Sequence, residues 1–432
     1  MSFRPLTQSH VRMLPVSLRA LCALGLVLAL GTGCSKKNAL APATTGTTAV
    51  RAADTFDHHK KFEGQAVHLT GTSRSGALWE LAKPAAWNGD LVVYLHGYTT
   101  PGLPIALPNN GAIRDSLLGR GFAVATSSYS SNGYAVPEGI EDSDALPHLF
   151  KERIAKPKRT FLFGQSLGGI IGLLLAQQES GKEYDGAFLV CGVVGGSTEE
   201  VQYIGDIKVL FDAVYPGVFP NDLYHPPVIT DPTAQIVQPA LAAIQKNPQG
   251  VGVIQALARH PMAGNNPQEI VTTLLTVLGF SLGGGGDLFA RSGHTSFFDN
   301  EGWHYSSALL PPALVDDINA RVERHARART AARFLEEFGE PTARLRVPML
   351  TLHTSRDPVV PVFHEDMLAQ VISSEHLVQR WADRYGHTPF NAAELMPHFN
   401  DMVNMAHDSH HDDDDDDILA GQAFVLRPAG GR

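Results

Sequence analysis

Short apolar runs without polar alternation recur along the middle of the chain, with helical spacing between most of them. Leu91–Leu95, LVVYL, is the plainest; Phe122–Ser127, Thr160–Phe163, Ala187–Val190, Met349–Thr354 and Leu377–Trp381 follow, and Ala66–Thr70 and Ala77–Ala82 are candidate first strands. A strand that does not alternate has both faces covered, as in a parallel sheet wrapped by helices. Helical spacing marks Ile113–Leu118, Leu167–Gln178, His364–Ile372 and Ala392–Met405. Strands alternating with helices predict an α/β fold with a mostly parallel sheet. The sequence shows no internal repeat.

The interval from Ala187–Val190 to Met349–Thr354 breaks the rhythm, because it is far longer than an ordinary crossover. It holds apolar helical patterns at Ile204–Val214, Leu241–Leu257 and Ile270–Phe280. We read residues 197–345 as an inserted helical cap between two parts of the core, 62–196 and 346–408. A cap over a site selects substrates and excludes water.

Both ends depart from this pattern. Arg4, Arg12 and Arg19 precede the apolar run Ala20–Leu30 with no acidic residue, which reads as an export signal over residues 1–33. The run is too short to span a bilayer comfortably, and no second hydrophobic run of spanning length is apparent. Leu30-Gly31-Thr32-Gly33-Cys34 resembles a bacterial lipoprotein box, with Cys34 as the lipidated residue and membrane attachment through it; ordinary cleavage in the same region is the alternative. Residues 34–61, rich in Ala, Thr and Lys at their start, read as a flexible tether, and 409–432 as an acidic low-complexity tail. The segment His407–Asp417, HDSHHDDDDDD, is read as a solvated tail in preference to a metal site.

Composition narrows the picture little: 432 residues, 44% hydrophobic, suit one large α/β domain with an insertion. The net charge of −10, in part from the acidic tail, excludes nucleic acid as an expected partner. Of three cysteines, Cys22 leaves with the signal and Cys34 carries lipid, so Cys191 remains alone, a buried small hydrophobe with no disulfide to make.

The candidate chemistry begins at Ser166, in TFLFGQSLGGIIGLLLAQQ, where an apolar strand meets Gly-x-Ser-x-Gly and a helix pattern follows at once. Such a turn lifts a serine hydroxyl clear of the backbone, but the hydroxyl needs a base, an acid to orient that base and amides to hold an oxyanion. Gly279-Phe280-Ser281-Leu282-Gly283 has the same pattern, but Gly284, Gly285 and Gly286 follow it. Glycines support the required helix poorly, so Ser281 reads as a helix end running into a glycine loop.

Chain order supplies the partners. Asp357 sits on the loop after Met349–Thr354, stiffened by Pro358 and Pro361, and His387 follows the last strand with Gly386 before it. The order serine, acid, histidine makes His387 the candidate base. His353, within a strand, and His364, on the following helix, compete less well because neither comes after the final strand. Candidate oxyanion donors are the backbone N–H of Leu167, at a helix start, and of Tyr98, with Gly97 the close alternative. His96 precedes the serine and reads as a structural hydrogen bonder.

Together, Leu95-His96-Gly97-Tyr98, Phe163-Gly164-Gln165-Ser166-Leu167-Gly168-Gly169, Asp357-Pro358-Val359-Val360-Pro361 and Gly386-His387 resemble an α/β-hydrolase. The segments Asp185–Ser197 and Tyr129–Gly139 are similar to exported bacterial hydrolases of the tannase and feruloyl esterase group. The resemblance implies an eight-stranded mostly parallel sheet, a serine acyl-enzyme intermediate, no cofactor, and triad roles for Ser166, Asp357 and His387; no metal site is expected. A small-molecule ester is the expected partner. Amidase or peptidase action on the same triad is the runner-up, and a non-catalytic binding lipoprotein the other alternative. The cap's polar cluster, His294-Thr295-Ser296 with Asp299, Asn300, Glu301, Trp303, His304 and Tyr305, reads equally as a pocket lining or as a surface loop.

Overall fold

The computed structural model describes residues 62–178, 184–372 and 375–409. The export signal, Cys22, Cys34, the tether and the acidic tail past Ser409 lie outside the described residues. The candidate strands all join one sheet: β1 (Val67–Thr72), β2 (Leu78–Lys83), β3 (Asp90–Leu95), β4 (Ala123–Ser127), β5 (Arg159–Gln165), β6 (Gly186–Val190), β7 (Met349–Arg356) and β8 (Leu377–Tyr385). Its order is β1-β2-β4-β3-β5-β6-β7-β8. β2 pairs antiparallel with β1 and β4, and the remaining pairs are parallel. This is the architecture of the α/β-hydrolase fold.

The unbroken apolar runs are explained by two cores, one on each face. Successive side chains of a strand point to opposite faces. Leu91, Val93 and Leu95 of β3, Leu162 of β5 and Leu189 of β6 therefore pack on one side, against α2 (Val136–Arg153) and α3 (Leu167–Gln177). Val92, Tyr94, Phe161, Phe163, Phe188 and Val190 pack on the other, against α1 (Gly111–Gly119) and α11 (Ala392–Ser409). A one-residue register slip would exchange an aliphatic set for an aromatic one, so the register is well specified.

Between β6 and β7 lie α4 (Ser197–Val214), α5 (Gln238–Lys246), α6 (Gln249–Leu257), α7 (Pro267–Arg291), α8 (Pro312–Arg321) and α9 (Arg329–Gly339). They share a separate apolar core that includes Ile207, Phe211, Ile254, Leu274, Leu278 and Leu335. The pattern at Leu241–Leu257 resolves into two helices because Asn247-Pro248 interrupts it. Helix α7 corrects two expectations. It continues through Gly283–Gly286 to Arg291, so Ser281 is a buried mid-helix residue and not a helix end before a loop. It is also long and apolar enough to cross a membrane by length and composition, although here it is a cap helix with 56% of its apolar window buried.

The glycines of α7 serve close approach. A Cβ at Gly284 would fall 2.8 Å from the Tyr98 hydroxyl and one at Gly285 2.5 Å from Leu223 O. The same helix fastens cap to core. Arg291 donates to both oxygens of Glu138 at 2.8 and 2.9 Å, to Asp287, to Ser131 Oγ and to Asn132 O, while Asp287 accepts from Tyr134 N–H. Its side chain is 14% exposed. Arg291→Ala would leave two carboxylates partly desolvated without their cation, and we expect a loss of about 2–3 kcal/mol, less than the 3–5 of a fully buried pair. Limited proteolysis should show the cap loosening first; an unchanged Tm and cleavage pattern would refute the clamp.

Candidate active site

The turn after β5 is shaped by contact distances more than by dihedral freedom. A Cβ at Gly164 would lie 2.2 Å from Gly168 O, one at Gly168 2.2 Å from Leu95 O, and one at Gly169 2.4 Å from Gly192 Cα. None of these glycines has a positive φ. The unusual backbone conformation falls on Ser166 itself, with φ 56° and ψ −124°. Such a state costs about 1–3 kcal/mol and persists only where its surroundings over-determine it. Here Val190 O accepts the Ser166 N–H at 3.0 Å, and Ser166 O accepts from Gly169 N–H at 2.8 Å as α3 begins.

Asp357 follows β7 and is fully buried. Its Oδ1 accepts from the N–H groups of Val359 and Val360 at 2.8 and 3.0 Å. His387 follows β8 by one residue, Gly386, whose φ of 124° favours glycine. That glycine is pinned to the neighbouring strand, donating to Arg356 O and accepting from Thr354 Oγ1. His387 Nδ1 reaches Asp357 Oδ1 at 3.0 Å and Oδ2 at 2.8 Å. A carboxylate only accepts, so Nδ1 carries a proton, and in the neutral ring Nε2 is the acceptor. Nε2 is buried and has no hydrogen-bond partner among the described residues, Ser166 Oγ included. Burial acts to raise the Asp357 pKa, but the charge and hydrogen bond of His387, the His353 charge and the Val359 N–H outweigh it and hold the carboxyl below its ordinary range.

Strand order brings these groups to one edge. Ser166, Cys191, Asp357 and His387 stand at the carboxyl ends of β5, β6, β7 and β8, which are successive neighbours in the sheet. Val190 holds the Ser166 N–H, and the next residue, Cys191, sets its Sγ within 4.8 Å of ligand atoms of Asp357 and His387. The elbow and the Asp–His pair are thus joined through the end of β6. Open α/β sheets bind ligands at this edge.

The loop after β3 flanks the serine directly. A Cβ on Gly97 would lie 3.0 Å from Ser166 Cβ and 3.4 Å from its Oγ. Leu167 N–H is the first of α3 and has no helical carbonyl to bond. Neither it nor the Tyr98 N–H meets an acceptor among the described residues. The side chain of Tyr98 turns to the cap, edge-on to Phe280 with centroids 5.5 Å apart, and its hydroxyl is buried without a partner among the described residues. His96 stacks on Tyr129 at 3.9 Å and donates Nδ1–H to Gly97 O at 2.7 Å, which shapes the loop.

The two competing histidines are buried and committed elsewhere. His364 Nδ1 accepts from Gly195 N–H at 3.2 Å, so its Nε2–H donates to Glu200 of α4 at 3.0 Å. Burial lowers its pKa to about 3, keeping the ring neutral. Burial, and then the Asp357 charge, raise Glu200 well above the carboxylate range. His353 lies behind Asp357, bonded to Val360 O and to Glu365 of α10 (Phe363–Val371).

Sequence reasoning missed Cys191's place. The residue is buried as expected but has φ 46° and faces the Asp357–His387 pair. Its position at the end of an apolar strand beside the Ser166 strand was the available signal. Burial, then the Asp357 charge, keep the thiol protonated. Cys191, Asp357 and His387 are near enough to share a metal ion, yet Asp357 and His387 already bond each other. The cap's polar cluster divides. Asn300 and Tyr305 are buried in a network with Asp206, Glu323 O and His325 N–H, whereas Glu301, Trp303 and His304 are exposed. The buried members hold the cap together and do not touch Ser166, Asp357 or His387 through any of these bonds.

No known family's profile matches this sequence, and no curated protein matches it. Solved structures do resemble it. A 2-hydroxy-6-oxo-6-phenylhexa-2,4-dienoate hydrolase from Rhodococcus is 16% identical, covering 79% of this chain and 100% of its own, with a TM-score of 0.38. An esterase from Exiguobacterium antarcticum is 13% identical over 79% of this chain and 100% of its own, TM-score 0.36. The Francisella virulence factor BioJ is 11% identical over 79% and 85%, TM-score 0.41. At this distance the α/β-hydrolase fold of the chain rests on its own strand order and on the turn at Ser166.

Proposed function

We propose that this chain is a serine hydrolase of carboxylic esters, with Ser166 as nucleophile, His387 as general base and Asp357 as the acid that orients it. The observation that carries the reading is the Asp357–His387 pair, whose Nε2 is buried and unpartnered among the described residues, at the same sheet edge as the strained serine turn. Ser166 Oγ attacks the ester carbonyl as its proton passes to Nε2. Negative charge collects on the carbonyl oxygen, within reach of the Tyr98 and Leu167 N–H groups. Collapse expels the alcohol, which takes the proton from His387. Water then attacks the acyl-enzyme, His387 removes its proton, and the carboxylic acid leaves with Ser166 regenerated. Esters precede amides in this reading because an alcohol leaves with less help from an acid than an amine does. Export, with lipid on Cys34, belongs to the same proposal and rests on the arginine-bearing apolar leader.

A fluorophosphonate probe tests the reading. The label is expected on the peptide containing Ser166 and not on that containing Ser281, in native but not in denatured protein. Native protein that takes no label would sink the proposal, and amide turnover above that of matched esters would overturn the ester preference. The mass of the mature N-terminus checks Cys34.

A further inference from the structure

His353 and His364 are both wholly buried, yet their hydrogen-bonding surroundings differ. A neutral imidazole has one donor and one acceptor nitrogen. His364 meets that condition, with an N–H donor at Nδ1 and a carboxyl at Nε2. His353 does not. Its Nε2 faces Val360 O at 2.8 Å and its Nδ1 faces Glu365 Oε1 at 3.2 Å, so both nitrogens meet acceptors. Glu365 is itself anchored: its Oε2 accepts from Thr351 Oγ1 at 2.5 Å and from Gln379 Nε2 at 2.7 Å. On its third side His353 has Asp357, with Nε2 3.8 Å from Oδ2.

We propose that His353 is a positioning residue for the Asp357–His387 pair: a buried imidazolium, held by Glu365 and the Val360 carbonyl, that offsets the Asp357 charge and steadies the Asp357–Val360 loop. The steadying is geometric, because Val360 accepts from His353 through its carbonyl and donates to Asp357 Oδ1 through its N–H. The charge effect follows from distance. Without a cation behind it, Asp357 would hold the His387 proton more tightly and keep that ring protonated, and idle as a base, to higher pH. The other titratable groups around His353 do not replace it. His364 is neutral, Glu200 and Cys191 are held in their protonated forms by burial first, and His387 lies beyond Asp357. Burial opposes a charge on His353 itself, but the hydrogen bond and charge of Glu365, the Asp357 charge and the Val360 carbonyl outweigh it and raise the pKa above the usual imidazole value.

The inference rests on the hydrolase reading for its kinetic consequence but not for the charge state, so two measurements separate them. The first is the pH profile of kcat/KM for p-nitrophenyl acetate in the full chain and in its Glu365→Gln and His353→Asn variants. Loss of the cation should move the acid limb up by about 1 pH unit in both variants. Folded Glu365→Gln protein with an unmoved limb overturns the proposal, since a merely structural role would lower Tm alone. The second is the 15N spectrum of histidine-labelled wild-type protein at neutral pH, with the His353 ring identified by its absence from His353→Asn. Two protonated ring nitrogens are expected, and a neutral ring overturns the proposal even if the protein turns over no ester.

Discussion

Asp357→Asn is expected to lower kcat/KM by about 10⁴-fold while leaving the fold intact, because the substitution inverts the tautomer of His387. The outcome turns on which oxygen each partner holds. Val359 and Val360 both donate N–H to Oδ1, so an asparagine must present its carbonyl oxygen there. The amide nitrogen then takes the place of Oδ2, the atom 2.8 Å from His387 Nδ1. An NH₂ group can only donate, so Nδ1 gives up its proton and Nε2 gains one. Nε2 is the atom that must accept from Ser166, and it becomes a donor. Flipping the amide instead would set NH₂ against two N–H groups in a site with no exposure, which is worse. Steady-state ester turnover checks the magnitude. A loss below about tenfold would mean that Asp357 does not orient the base, and the proposed roles would fall with it.

How much of this was legible in the sequence depends on whether the signal was local. Strand positions were readable because strands buried on both faces are apolar throughout, and the residues at their ends, Ser166, Asp357 and His387, could then be ordered along one edge. Helix α2 was not readable. Val136–Arg153 opens with Pro137, carries Pro147 inside and mixes Glu141, Asp142 and Asp144 with apolar positions, so it did not stand out among the helical patterns. Asp142 in fact turns inward, accepting from Ser75 Oγ and Ser130 N–H, a long-range arrangement that no spacing announces. The glycines of α7 failed for a related reason. Helix propensity disfavours Gly283–Gly286 by nearly 1 kcal/mol each, but at Gly284 and Gly285 packing against Tyr98 and Leu223 leaves no room for a Cβ, and tertiary packing of the helix overrides propensity. His353 and Cys191 looked like ordinary buried residues, which they are; what sets them apart is that both meet Asp357, contributed by a different part of the chain from Cys191 and by a turn that doubles back on His353.

Gly168→Ala is expected to cost the fold about 3 kcal/mol or more, although the position is helical and alanine is the better helix former by about 1 kcal/mol. The two effects oppose each other, and distance decides between them. The added Cβ would lie 2.2 Å from Leu95 O, 2.6 Å from Leu95 C and 2.8 Å from His96 O, all backbone atoms of a central strand and its exit loop. Neither side can yield cheaply: Leu95 is wholly buried and paired with Gly164, and α3 is packed against β5, β3 and β6. Separating them would draw the start of α3 away from the loop that carries Tyr98, so activity should fall with stability. Two alanine controls in helices isolate the cause. At Gly172 the nearest atoms are Leu189 Cδ2 at 2.8 Å and Leu95 Cδ1 at 3.1 Å, ends of side chains that can rotate, so about 1 kcal/mol is expected. At Gly283 nothing lies within 4 Å, and Gly283→Ala should stabilise by up to about 1 kcal/mol. Denaturation of the three variants side by side should rank them in that order. Equal stability for Gly168→Ala and Gly283→Ala would show that the β3 exit does not press on the helix, and that the strained conformation of Ser166 has some other cause.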